Sequence, residues 1–151
     1  YFYLRCKAKP GDLFIIDEPE LNLHPKTQRS FARLVARLVN VGIKVFITTH
    51  SDYMIKEFNT LIMLNQETEH TKKVKEQYEY VSTELLEHNR IRLYMTTKEL
   101  RTGNGRGRRP RVRTLKPAKI SPSHGIEAAT FDETIDLMND IQNELMFGGD
   151  I

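Results

Sequence analysis

Two short apolar runs lie one amphipathic helix apart, and that spacing limits the fold more than any other feature of the chain. Residues 13–16 (LFII) and 43–48 (IKVFIT) are rich in Ile, Val and Phe. The first has no polar alternation, which suits a strand buried on both faces of a parallel sheet. Between the runs, Pro25 is placed to open a helix at its first position. Residues 26–40 then put Phe31, Leu34, Val35, Leu38 and Val39 on one face, with arginines elsewhere. Gly42 ends that helix. Strand, helix and strand in this order predict a right-handed parallel crossover, and so an α/β fold.

The flanking segments are less regular. Residues 1–9 read as the end of a helix, broken by Pro10-Gly11-Asp12. Ser51 or Asp52 can cap a short helix reaching about Phe58, and residues 60–64 form a third candidate strand. Residues 66–79 are charged and nearly free of aliphatic side chains, as in an exposed loop or surface helix. Residues 81–86 fit a short helix. Residues 90–96 alternate Ile91, Leu93 and Met95 with Arg92, Tyr94 and Thr96, the pattern of a half-buried strand, and residues 113–120 are its expected antiparallel partner. Thr130 with Glu133 makes a capping box for a helix over residues 130–147. Its buried stripe would be Ile135, Met138, Ile141, Leu145 and Met146, and Gly148-Gly149 stops it. The division expected is a core lobe over residues 1–65 and an extension over residues 66–151.

No apolar run approaches the roughly 20 residues that span a bilayer, so no membrane partner is expected. The first residues lack the features of a secretory signal, and the absence of an initiator Met suggests a segment of a longer protein. The single cysteine, Cys6, excludes an internal disulfide framework and fits a reducing compartment, so the expected location is cytoplasmic. His70, His88 and His124 have no metal-ligand spacing to one another or to Cys6. The net charge of +3 is unevenly placed. Between Arg101 and Arg113 stand six arginines, three glycines and no acid, which leaves the remainder slightly acidic. That stretch reads either as a solvated hairpin tip or as a loop contacting DNA or RNA phosphates. It contains no aromatic residue, so base stacking is not indicated. Tyr78, Tyr80 and Tyr94 read as packing residues.

The block LFIIDEPELNLHP carries the chemistry. A buried parallel strand ending in Asp17 and Glu18 puts both carboxylates at the sheet edge where open α/β folds bind ligands. Asp17 can hold magnesium, a hard cation that prefers oxygen ligands. Glu18 can orient and deprotonate a water attacking a γ-phosphoryl group. His50, in KVFITTHSD, ends the second strand and so falls on the same edge, where it can donate a hydrogen bond to that phosphate. Taken singly, Asp-Glu-Pro is a polar turn and His50 a satisfied strand-end histidine. Their coupling through one crossover favours the functional reading.

With these motifs the sequence resembles the C-terminal half of an ABC-type ATPase head, a P-loop NTPase fold. The branch resembled is that of SMC-like repair ATPases, OLD-family nucleases and phage-defence ATPases. IIDEPELNLHP resembles a Walker B motif followed by a D-loop, and ITTHS resembles the switch-histidine strand. The resemblance implies Asp17 as the magnesium-associated aspartate, Glu18 as the catalytic glutamate and His50 as the switch histidine. It implies a D-loop over residues 21–25, with Asn22 and His24 as nucleotide-site residues. ATP and Mg2+ follow as expected cofactors. So does a fold with a parallel sheet, flanking helices, a small antiparallel hairpin and a C-terminal helix. His24 stands where transporter-type heads usually carry aspartate, which points away from transport.

No GxxxxGK[ST] phosphate loop occurs in the chain, and Gly103, Gly105 and Gly107 lack the Lys-Ser of one. The serine-glycine signature motif is absent too. The resemblance therefore implies that this segment alone is inactive and that the full-length protein works as a homodimer with ATP sandwiched between its heads. The last segment, FDETIDLMNDIQNEL, lacks the clustered acids of a Toprim nuclease and looks like stand-alone defence ATPases of Septu or retron systems. Such ATPases control a separate effector, such as a nuclease. The alternatives are an SMC-like DNA repair or recombination head and a non-catalytic scaffold that retains the fold.

Overall fold

The computed structural model describes residues 7–100, 111–127 and 137–144. They separate into two compact units. The first takes the described residues up to Ile91 together with Ile120–Gly125, and the second takes Arg92–Lys119 with the described residues from Ile126 onward.

The first unit opens with the expected crossover. Strand β1 (Leu13–Asp17), helix α1 (Pro25–Asn40) and strand β2 (Lys44–Thr48) follow in order. The strands pair in parallel, from Leu13 opposite Lys44 to Asp17 opposite Thr48. The end of α1 is closed by two bonds, Ile43 N–H to the Leu38 carbonyl and Gly42 N–H to the Val39 carbonyl, each at 3.0 Å. This double closure is a Schellman motif, and it needs the left-handed backbone that Gly42 supplies at φ 92°. Gly11 N–H to Gly42 O (2.7 Å) and Lys44 N–H to Asp12 O (2.8 Å) then set the start of β1 against the start of β2.

Helix α2 (Asp52–Met63) follows, with Ser51 as its cap, accepting from Met54 N–H at 3.1 Å. The core of the unit is the seam of α1 and α2. Ala32, Val35, Ala36 and Leu38 meet Met54, Ile55, Phe58, Leu61 and Ile62, all buried. The strand expected at residues 60–64 is therefore helix up to Met63. Leu61 and Ile62 continue the spacing of Met54, Ile55 and Phe58, and so complete the apolar stripe of α2. Helix α3 (Glu69–Gln77) has no buried residue and carries a Thr68–Thr71 capping box, in keeping with the expected surface segment. Residues 81–86 are reduced to a 3-10 turn at Ser82–Glu84, after which Leu86 N–H bonds to Leu61 O at 3.2 Å.

The strands differ from expectation in burial. Leu13, Ile15 and Phe46 are more than half exposed, whereas Phe14, Ile16, Val45 and Ile47 are half-buried. One face of the β1–β2 pair is thus covered and the other is open among the described residues. An uninterrupted apolar run states that a strand can be buried on both sides, but long-range packing decides whether it is.

In the second unit β3 (Tyr94–Leu100) pairs antiparallel with β4 (Arg111–Pro117), from Tyr94 opposite Pro117 to Leu100 opposite Arg111. The strand begins later than expected, but the alternation holds from Ile91 to Thr96, odd positions half-buried and even ones exposed. Strands β5 (Lys119–Ser121) and β6 (Gly125–Glu127) pair with each other. Residues 137–144 are helical within the expected C-terminal helix. Of its expected stripe, the described members Met138 and Ile141 are exposed, as is Leu137 beside them. Periodicity says which residues share a face, not what covers it. Thr130, Glu133, Ile135, Leu145, Met146 and the glycine stop lie outside the described residues, as do residues 1–6 with Cys6, and the stretch from Arg101 to Pro110. Tyr78 and Tyr94 are exposed rather than packed, while Tyr80 lies beneath Arg33, 4.0 Å from guanidinium to ring centre.

Gly125 offers a direct test of this packing. Its φ is 66°, and a Cβ there would sit 1.6 Å from Asn59 Oδ1. Gly125→Ala is expected to lower stability by at least about 1–2 kcal/mol, the left-handed penalty alone, read as a reduced urea midpoint at unchanged m-value.

Candidate active site

The register Asp17–Thr48 brings the C-terminal ends of β1 and β2 side by side. The Thr48 hydroxyl donates to Asp17 Oδ1. Glu18 N–H donates to the Thr48 carbonyl at 3.0 Å and lies 3.2 Å from its hydroxyl oxygen. At Glu18 the backbone turns left-handed, φ 42°, and the chain leaves the sheet. The Glu18 Oε1 atom then stands 3.4 Å from His50 Nε2. The His50 ring is 88% exposed and Glu18 36%, so the pair opens to solvent where a substrate can reach it. Asp17, Glu18 and His50 are thus brought together as the sequence implied.

Glu20 is a partner that sequence reasoning gave no role. Its Oε1 accepts the His50 backbone N–H at 2.5 Å. Burial works to raise the Glu20 carboxyl pKa, but the backbone N–H groups of His50 and Glu20, the Thr49 hydroxyl and the His50 ring outweigh it and hold it below the usual carboxylate value. A lowered folded-state pKa adds stability above the unfolded carboxylate's range, and that gain is lost as pH falls through the folded value. Glu20 Oε2 is buried and has no hydrogen-bond partner among the described residues. The only signal in the sequence was a third acid immediately after Pro19. Thr48 was missed as well, because its role depends on strand register.

The loop leading to α1 is built from turns, Leu21 N–H to Glu18 O (3.2 Å) and Leu23 N–H to Glu20 O (2.9 Å). Asn22 is left-handed at φ 62°, a conformation that asparagine tolerates better than most residues. His24 is the N-cap of α1, with Nδ1 accepting from Lys26 N–H at 3.3 Å and Pro25 at the first helical position. The contacts described above run among Asp17, Glu18, Glu20, Thr48 and His50, whereas the His24 ring is directed to its own helix. Behind the loop, Gln28 Nε2 donates to Leu23 O at 2.8 Å and Gln28 Oε1 accepts from the buried Ser51 hydroxyl. The segment after β1 is thereby joined to the segment after β2.

Among the described residues no group of three or more His, Cys, Asp or Glu side chains is arranged to hold a metal ion. The Asp17 and Glu18 oxygens at an open edge still fit magnesium, which usually keeps several waters and takes one or two carboxylates plus substrate phosphates. No described helix is long and apolar enough to cross a membrane.

The described geometry places two adjacent carboxylates and a histidine at the C-terminal ends of two paired parallel strands. Residues 2–55 match the family model described as AAA ATPase domain. That span contains β1, α1, β2 and all five residues of the site, and the match supports similarity to an ATPase portion there. The match ends within α2, and residues 56–151 lie outside it. No curated protein and no solved structure matches the chain.

Proposed function

We propose that the chain supplies the Walker B, D-loop and switch-histidine part of an ABC-type ATP-hydrolysing head. The 3.4 Å approach of Glu18 Oε1 to His50 Nε2 across two paired strand ends carries this reading. In the reaction a water oxygen attacks the γ-phosphorus, the bond to the bridging oxygen breaks, and ADP and phosphate leave. Glu18 orients that water and accepts its proton. His50 donates to a γ-phosphate oxygen from the opposite side of the same edge. Asp17, held by the Thr48 hydroxyl, is the residue to hold Mg2+, which when bound neutralises charge on the phosphate oxygens. Asn22 and His24, exposed on the loop, are the residues this reading assigns to nucleotide or a second head, His24 while also capping α1.

A phosphate-cradling loop and a signature motif must come from other parts of the full-length protein, and two heads enclosing ATP would complete the site. The ELNLHP form of the loop supports a head from the OLD and defence branch, controlling a separate effector nuclease. An acid pair and histidine still in register favour hydrolysis over a scaffold role. In the full-length protein, Mg2+-dependent phosphate release from ATP is expected. Asp17→Asn should raise the Mg2+ needed for half-maximal turnover by at least about tenfold, the lower end of what loss of a metal-supporting group costs. An unchanged Mg2+ dependence in that variant would remove Asp17 from the site.

A further inference from the structure

Glu20 belongs neither to the acid pair nor to the histidine, yet it joins the two segments that bear them. The loop after β1 holds two non-glycine residues at positive φ, Glu18 and Asn22. Backbone of this kind persists where the surroundings over-determine it. One constraint is the Glu18 N–H bonded to the Thr48 carbonyl. The other is the Glu20 carboxylate bonded to the His50 N–H. Beside the Gln28 link to Leu23 and Ser51, the Glu18 carboxylate and the His50 ring are thus spaced by two peptide N–H groups, each bonded to the opposite segment. A carboxylate acceptor makes the second bond charge-assisted and roughly twice as strong as its neutral counterpart.

The remaining Glu20 oxygen is buried without a partner among the described residues, and leaving such an atom unsatisfied is costly. A shorter or apolar side chain would avoid that cost but could not hold His50. We infer that Glu20 is a positioning residue for the proposed hydrolysis: its carboxylate clamps the His50 backbone and so sets the His50 ring against Glu18. This rests on the ATPase reading above.

The test uses Glu20→Ala and Glu20→Gln in the full-length protein, with two readouts. Glu20→Ala should lower kcat by about 100-fold, the loss that a misplacement of about 1 Å brings, with little change in KM for ATP. Glu20→Gln keeps a carbonyl oxygen that can accept from His50 and should restore most of kcat. The second readout is the backbone amide proton of His50 by NMR, expected downfield in the parent and in Glu20→Gln, and shifted upfield in Glu20→Ala. Should Glu20→Ala fail to fold, Glu20→Leu fills similar space without an acceptor and takes its place. Parental kcat in the alanine or leucine variant, a change confined to KM, or an unmoved His50 amide overturns the clamp and leaves the ATPase reading intact. A protein that shows no ATP turnover at all, while the His50 amide still moves, overturns the ATPase reading and the positioning role with it.

Discussion

Glu18→Gln in the full-length protein is expected to reduce ATP turnover by about 10²–10⁴-fold, the usual contribution of a positioned acid–base group. The substitution keeps the shape of the side chain and removes its capacity to take a proton from water. Glu18 is partly exposed, and its main role in holding the loop is played by its backbone N–H on Thr48. Stability should therefore stay within about 0.5 kcal/mol, as for other surface changes away from special features. Nucleotide binding should persist or tighten, because one negative charge is removed from an edge that must receive a triphosphate while Asp17 remains. The expected signature is ATP retained on the protein, with phosphate release almost lost and ATP-bound dimers accumulating.

His50→Ala provides the contrast. It leaves the base intact and removes a donor to the phosphate, so turnover should fall while ATP is held less firmly. Phosphate release and retained nucleotide, measured together, separate the two roles. Unchanged turnover in Glu18→Gln would remove the catalytic assignment.

Much of the first unit could be read in the sequence because its signals are local. The two apolar runs, Pro25 and Gly42 mark β1, α1 and β2 within a residue or two of their observed ends. Asp17, Glu18 and His50 were legible for the same reason, since parallel strands place their C-terminal ends on one edge. What escaped depends on partners distant in the chain. The run at residues 60–64 looked like a strand because a short apolar run has no decisive period, and only packing against α1 shows it to be helix. The open face bearing Leu13, Ile15 and Phe46 follows from what packs on the sheet, which composition does not specify. Glu20 and Thr48 act on backbone groups or through register, so neither forms a pattern. The sequence placed the arginines of α1 off its apolar face but named no partners for them, because their acids lie far along the chain, 24 residues away from Arg33 and 47 from Arg37.

Those arginines set the largest stability effect. Arg29, Arg33 and Arg37 recur every four residues and form one stripe on α1. Glu57, in the middle of α2 and 2% exposed, accepts from Arg29 Nε at 2.6 Å and from Arg33 Nε at 2.8 Å, one to each oxygen. Glu84, equally buried, accepts from Arg37 Nη2 at 2.5 Å and lies 3.9 Å from Arg33 Nη1. The Arg29 guanidinium also donates to the Tyr80 hydroxyl at 3.2 Å, and its bond to Glu57 raises its pKa further above the usual value. Removing one member of a buried ion pair leaves its partners without compensation. Glu57→Ala should thus cost about 3 kcal/mol or more. For a chain of this length that corresponds to a fall in Tm of roughly 6–12 °C. Arg29→Ala should cost no more than about 1 kcal/mol, because the Arg29 side chain is half exposed and Glu57 keeps its bond to Arg33. Thermal melts of the two variants decide the matter. Equal losses would mean that the network contributes through surface charge alone. A larger loss at Glu57 would mean that the buried carboxylate fixes α1 against α2, the two helices that begin directly after the loops carrying Glu18 and His50.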